Sequence, residues 1–158
     1  MKHAIFFFLL ITLSACGANI DIHKPIPHKL VTDKEKGGYT HINFGAGETG
    51  ASSGFISALS NNLQQYLSEL SLYPKKNGSL KVHVQIIGYD LKREASRAVM
   101  GTLAGADEVT STIQVIDVDT NEVVGESTVF TSSSMAYGQK AMAWVHADDI
   151  ATFLSTTN

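Results

Sequence analysis

Hydrophobic and polar side chains alternate with a helical period over residues 52–72. Apolar side chains return there at steps of three and four positions, and amides with one carboxylate occupy the opposite face. The apolar set is Phe55, Ile56, Leu59, Leu63, Tyr66, Leu67 and Leu70. Because an α-helix turns once in about 3.6 residues, this spacing gathers the set on one side. The pattern predicts an amphipathic helix, which Pro74 and the pair Asn77-Gly78 bring to an end.

A two-residue period follows over residues 80–89 and predicts a strand with one solvated face. Its apolar positions are Leu80, Val82, Val84 and Ile86, and its polar positions are Lys81, His83 and Gln85. Residues 39–44, 109–118 and 123–131 predict three further strands. A polar turn at 117–122 joins the last two, so we expect them to pair as a β-hairpin.

A second helical period covers residues 139–154, where Asp149 interrupts the apolar stripe. The predicted order is therefore β-α-β-β-β-α. Two helices on one face of a mostly antiparallel, four-stranded sheet make a two-layer α+β domain, which we assign to residues 39–158.

Residues 18–38 show neither period. They hold Pro25 and Pro27 and end on Gly37-Gly38. Proline favours extended chain, and a glycine pair favours irregular structure. We therefore expect residues 16–38 to form a flexible tether ahead of the domain.

The first fifteen residues predict a secretory signal peptide. Lys2 supplies an early positive charge, residues 4–11 are apolar, and small residues precede Cys16. The apolar run is shorter than the roughly 20 residues that a spanning helix needs. An ordinary signal peptide that happens to end near a cysteine is the alternative.

Leu13-Ser14-Ala15-Cys16 resembles the lipobox of bacterial lipoproteins. The resemblance implies that the Cys16 thiol receives a diacylglycerol thioether and that cleavage frees its amine. Two acyl chains anchor a protein stably, whereas one does so only marginally. In the same resemblance Gly17, in place of Asp, implies sorting to the outer membrane. We expect the domain to face the periplasm there.

The composition argues against several classes of binding partner. The formal net charge is -3, so the chain lacks the basic excess that nucleic-acid binding requires. Cys16 is the single cysteine, and the six histidines are scattered. We therefore expect no metal site and no cofactor.

Two short motifs resemble those of catalytic or nucleotide-binding sites. Residues 50–54 fit G-x-S-x-G, the elbow that exposes a serine nucleophile in some hydrolases. Ser52 or Ser53 would be that nucleophile and His146 its base, with an acid drawn from Asp117, Asp119, Asp148 or Asp149. The alternative makes Ser52 or Ser53 a helix N-cap. Residues 45–50 fit G-x-G-x-x-G, but Asp90, the acidic residue that ends the next predicted strand, comes too late for the spacing of a dinucleotide site.

A stretch of small residues at 93–107 predicts a long connection between two strands. Arg93 and Arg97 lie in its first part, and Gly101 and Gly105 are four residues apart in its second. Long connections in compact domains are often functional. We interpret this one as a possible interaction loop for an envelope protein; a loop without a partner is the alternative.

The second half of the chain resembles a family of bacterial outer-membrane lipoproteins built around a domain of unknown function, and is distantly similar to accessory lipoproteins of secretion pores. The resemblance rests on Arg97, Gly101, Ala104, Gly105, the strand at 109–118, Asp117, Thr120 and Glu122. Asn121 stands where the family pattern has glycine, and asparagine tolerates the left-handed geometry of such a turn. The resemblance implies no catalytic residues.

The sequence thus favours a non-enzymatic lipoprotein, anchored in the membrane by its lipid, that binds another envelope component or itself. The alternatives are a small lipid-anchored serine hydrolase and an envelope sensor of a small ligand or of stress.

Overall fold

The computed structural model describes residues 17–33, 37–91, 105–133 and 138–156. Within these residues the chain forms five strands and three helices in the order β-α-β-α-β-β-β-α. The strands are β1 (Gly17–Lys24), β2 (Tyr39–Gly45), β3 (Leu80–Asp90), β4 (Asp107–Asp117) and β5 (Val123–Ser133). The helices are α1 (His28–Thr32), α2 (Ser53–Glu69) and α3 (Gly138–Ser155).

The strands form one mixed sheet in the order β1-β5-β4-β3-β2. The β4–β5 hairpin is present as predicted, and β3–β4 and β1–β5 are also antiparallel. In contrast, β2 and β3 are parallel. Their connection runs through α2, and parallel neighbours need a crossover of that kind. The predicted four-stranded sheet is therefore wrong in strand number, whereas the α+β class is confirmed.

The two long helices cover one face of the sheet. Every second residue is buried in this layer from Leu80 to Ile86 of β3, from Asp107 to Val115 of β4 and from Gly125 to Ser133 of β5. From α2 the buried residues are Phe55, Leu59, Leu63 and Leu67, as the helical period predicted. Leu70, the last of the predicted apolar set, is instead 52% exposed because it follows the helix as its C-cap.

The expected tether is the largest departure from the sequence-based prediction. Residues 17–24 form the edge strand β1, in which Gly17 pairs with Ser132 and Ile20 with Val129. The Ser127 hydroxyl adds a 2.9 Å bond to the carbonyl of Asp21.

The next residues join the core directly. Ile26 is fully buried, and Val31 of α1 is 6% exposed. A side chain at Gly125 would place a Cβ 2.6 Å from Cγ1 of Ile26, so glycine makes room for this contact. The packed domain therefore begins well before residue 39, and α1 is a third helix that the pattern missed.

Tyr39 shows how the layers are held at the start of β2. Its hydroxyl is buried and donates a 2.6 Å hydrogen bond to the carbonyl of Leu154, at the end of α3. Its backbone N–H donates to the carbonyl of Leu72, beyond α2. Burial raises the pKa of Tyr39, so the phenol stays protonated and keeps its donor role.

Candidate functional site

A polar cluster is buried where α3 lies on β4 and β5. Ser111 and His146 are fully buried, and Thr131 is 1% exposed. The Nε2 atom of His146 lies 2.8 Å from the Ser111 hydroxyl, and its Nδ1 atom lies 2.7 Å from the Thr131 hydroxyl. The Thr131 hydroxyl also bonds to the carboxylate of Asp149, one turn further along α3. These four side chains form a continuous hydrogen-bonded chain.

The direction of the chain follows from the number of protons available. An ionised carboxylate can only accept, so the Thr131 hydroxyl donates its single proton to Asp149. Thr131 must then accept from Nδ1–H of His146. The Nε2 atom is left as an acceptor and receives the Ser111 proton. The geometry thus assigns the Nδ1–H tautomer to a neutral His146.

The electrostatics agree with that assignment. Burial lowers the pKa of His146 from 6.5 to about 3, so the imidazole is uncharged at neutral pH. Burial raises the pKa of Asp149, the nearby charge of Asp148 raises it further, and the Thr131 hydrogen bond opposes the rise. Since Ser111 and His146 have no solvent contact, this cluster fastens α3 to the sheet and offers no exposed nucleophile.

Ser52 lies elsewhere and has a structural partner. Its hydroxyl accepts the backbone N–H of Phe55 at 3.1 Å as the N-cap of α2, which was one of the two interpretations of this motif. It also lies 3.1 Å from Oε1 of Gln139, to which it donates. Ser53 is the first residue of the helix. Both ring nitrogens of His146 are occupied by Ser111 and Thr131, so the structure does not bring His146 to either serine.

The acids proposed from the hairpin are also remote from Ser52. Asp117 ends β4 and pairs with Leu80 at the start of β3, while Tyr89, near Ser52, pairs with Val109 at the other end. The Asp117 carboxylate accepts the backbone N–H groups of Thr120 and Asp119, each at 2.9 Å. These hydrogen bonds, with that from Thr120 foremost, lower the pKa of Asp117.

Asn121 closes this turn with a φ of 58°, which confirms the left-handed geometry predicted for it. Its side chain accepts a 2.8 Å hydrogen bond from Lys81.

Across the described parts of the chain, no group of three or more His, Cys, Asp or Glu side chains could hold a metal ion.

A cleft of about 440 Å³ opens at the hairpin end of the sheet. It lies between the start of β2, the turn after α2 and the residue that follows β4. Its lining is mixed in character and consists of Thr40, His41, Pro74, Lys75, Lys76, Gly78 and Val118. The sequence patterns gave no indication of this cleft, because its residues come from three separate segments. Only the adjacent pair Lys75-Lys76 could have drawn attention to it.

Several predicted residues lie outside the described part of the chain. These are the signal peptide at 1–15, the lipidation site Cys16, and Arg93, Arg97 and Gly101 of the proposed interaction loop. Gly105 is described; it is exposed and has a φ of 85°, which glycine adopts readily. None of the described helices combines the length and the apolar character needed to cross a bilayer.

Comparisons with solved structures identify proteins that share this fold. No curated protein matches the chain. The solved structure of a PelC L103M dodecamer from Paraburkholderia phytofirmans matches with a TM-score of 0.56 and 16% identity, covering 89% of this chain and 95% of that one. A second PelC dodecamer structure from the same organism gives 0.52 and 16%, covering 88% and 96%. At this identity the likeness establishes a shared fold.

A candidate lipoprotein from Caulobacter crescentus CB15 matches at 15% identity over 74% of this chain and 90% of that one, with a TM-score of 0.43. A family model matches residues 52–138, which run from the α2 N-cap to the first residue of α3. The chain belongs to the family described as Domain of unknown function (DUF4410).

Proposed function

We propose that this protein is a lipid-anchored, non-enzymatic lipoprotein of the bacterial cell envelope that acts as an assembly module. The observation that carries the proposal is the order of features at the N-terminus. The lipobox-like Leu13-Ser14-Ala15-Cys16 is followed at once by the edge strand β1, which begins at Gly17. The lipid would therefore hold the folded domain against the outer membrane, on its periplasmic side, without a long spacer.

Self-association is the assembly mode that we favour. The sheet ends in β1 on one side and in β2 on the other, so among the described residues both edges are open. Open edges present unpaired backbone groups to other chains. The two edges differ, and repeated contact between unlike surfaces closes into a ring when the rotation allows it. The PelC structures with the same fold are described as dodecamers, which supports this mode.

The non-enzymatic part of the proposal draws support from the candidate catalytic groups. The Ser52 hydroxyl caps α2, and the two ring nitrogens of His146 bond to Ser111 and Thr131. A nucleophile and its base must lie within hydrogen-bonding reach of each other. If the double variant Ser52→Ala with Ser53→Ala lost an ester-hydrolysing activity of the wild type, this part would fail.

Labelling with radioactive palmitate tests the anchor. We expect the wild type to incorporate label and to fractionate with membranes, and Cys16→Ser to do neither. A Ser14→Ala variant is the matched control, since it alters the same segment and leaves the thiol. Unlabelled wild type, or membrane association of Cys16→Ser, would contradict the anchor.

Native mass spectrometry tests the assembly. Ile22 of β1 is 42% exposed at the sheet edge, whereas Leu70, the C-cap of α2, is 52% exposed outside the sheet. A buried charge without a partner opposes association, so Ile22→Glu should dissociate the oligomer and Leu70→Glu should leave it intact. A wild type that is monomeric at micromolar concentration, or equal effects of the two variants, would overturn this mode.

A further inference from the structure

The cleft at the hairpin end of the sheet concentrates positive charge. Lys75 and Lys76 contribute ammonium groups, and His41 contributes an imidazole whose Nδ1 lies 3.1 Å from the Thr40 hydroxyl. Within the described residues neither lysine forms an ion pair. Pro74 and Val118 give the cleft an apolar wall, and Val118 is 45% exposed.

Lys75 is held in place by its surroundings. Its backbone N–H donates a 3.0 Å hydrogen bond to the carbonyl of Tyr39, and its own carbonyl accepts the N–H of Gly78 at 3.1 Å. A Cβ built on Gly38 would lie 2.8 Å from Cγ of Lys75, and one on Gly78 would lie 2.9 Å from its Cβ.

Because both positions are glycine, their backbone can approach the aliphatic part of the Lys75 side chain closely. A side chain already ordered in this way loses less entropy when its ammonium group binds a ligand.

Two acidic residues, Asp117 and Asp119, flank the lining residue Val118 in the sequence. The carboxylate of Asp117 points into its own turn, where Thr120 and Asp119 donate to it. Lys81, at the same end of the sheet, donates to Asn121. Neither aspartate lines the cleft, so its cations are left to face a ligand.

We propose that this cleft is a binding site for an anionic oxygen group, a carboxylate or a phosphate. Ammonium groups bind such groups through charge-assisted hydrogen bonds. The cleft volume of about 440 Å³ lies within the range of roughly 300–1,000 Å³ typical of small-ligand sites. The inference does not rest on the proposed anchoring or assembly, since the lysines that it uses, Lys75 and Lys76, lie outside both edge strands.

Isothermal titration of the purified full chain in a buffer with non-ionic detergent tests the site. The probes are inorganic phosphate, a galacturonate trimer that carries carboxylates, and a neutral galactose trimer. We expect at least one anion to bind, the neutral sugar not to bind, and the affinity to fall as salt rises. Binding of phosphate alone or of the uronate alone would assign the group.

Charge-removing variants locate the binding. Lys75→Gln and Lys76→Gln should each weaken it about fivefold, the upper range for one exposed ionic contact. Lys140→Gln, an exposed lysine at the start of α3, is the matched control with the same change of net charge and should bind as the wild type does.

A melting temperature measured for each variant verifies folding. The proposal is overturned if no anion binds at 0.15 M salt, if the neutral trimer binds equally well, or if all three variants behave alike.

Discussion

The two long helices cover the same face of the sheet by different means. Helix α2 buries only apolar side chains, Phe55 and three leucines at helical spacing. Helix α3 buries seven apolar residues together with His146, whose two ring nitrogens bond to hydroxyls of β4 and β5. The buried face of α2 is therefore apolar throughout. The α3 side adds a hydrogen-bonded chain that ends at Asp149.

This difference separates two kinds of stability. Burial of apolar surface does not depend on protonation. The contribution of α2 to the free energy of unfolding should therefore be the same at pH 7 and at pH 5. The α3 contribution requires an uncharged imidazole, because burial penalises its charged form. Acid should therefore weaken one side of the domain first.

The largest effect is expected for Leu63→Ala on α2. Leu63 is fully buried, and truncation of a buried leucine leaves a cavity that costs about 2–5 kcal/mol of unfolding free energy. Urea denaturation at pH 7 and at pH 5 should give the same loss. Leu70→Ala, at a position 52% exposed, is the control and should lose less than about 1 kcal/mol. A loss for Leu63→Ala that grows with acid would contradict the division between the two sides.

Acidification of the wild type should have the next largest effect. The pKa of His146 falls from 6.5 to about 3 on folding, so below pH 6.5 the unfolded chain takes up a proton that the folded chain does not. The stability is thus fully present above 6.5 and decreases by about 1.4 kcal/mol per pH unit as the pH falls toward 3. Between pH 7 and pH 5 the loss is about 2 kcal/mol.

Two variants identify the group responsible. His146→Gln should remove most of this slope, whereas His83→Gln on the other face of the sheet should retain it. The raised pKa of Asp149 acts with the opposite sign, since its folded form binds a proton more readily, and it offsets part of the loss in acid. An unchanged slope in His146→Gln would refute the assignment.

The same contrast explains what the sequence could and could not predict. The α2 period was sufficient because its buried face is apolar without interruption. His146 belongs to a helical pattern, but its partners lie 15 and 35 residues away on two strands, and no local signal connects them. The sequence suggested His146 as a catalytic base because histidine often serves as a general base. In the structure its surroundings make it a buried residue that joins α3 to the sheet.

The edge strand β1 was missed for a related reason. Its segment alternates only at Ile20 and Ile22, and the prolines that follow favour an irregular tether. Pairing with β5 and the burial of Ile26 decide its conformation, and both are tertiary contacts. Local propensity is easily overridden where a neighbouring strand offers hydrogen bonds.

A smaller effect is expected for Thr131→Val, which keeps the shape of the side chain and removes the hydroxyl between His146 and Asp149. An unsatisfied buried donor costs about 1–3 kcal/mol, and we expect about 1.5 kcal/mol here at pH 7. Thr112→Val on the solvated face of β4 is the control and should stay within about 0.5 kcal/mol of the wild type. Equal losses in the two variants would show that the hydrogen-bonded chain contributes nothing specific.

The smallest effect concerns Ser52, where the two sides of the domain meet. Its hydroxyl caps α2 through the Phe55 N–H and donates to Gln139 at the start of α3. Ser52→Ala should cost about 1 kcal/mol for the lost cap, and Ser53→Ala, inside the first turn, should cost almost nothing.

Gln139→Ala removes only the exposed bond between the helices, so about 0.5 kcal/mol is expected. In a double-mutant cycle, a coupling energy between Ser52 and Gln139 measures how strongly the helices support each other. Zero coupling would mean that this hydrogen bond adds nothing to the direct packing of α2 on α3, in which Tyr66 lies against Trp144.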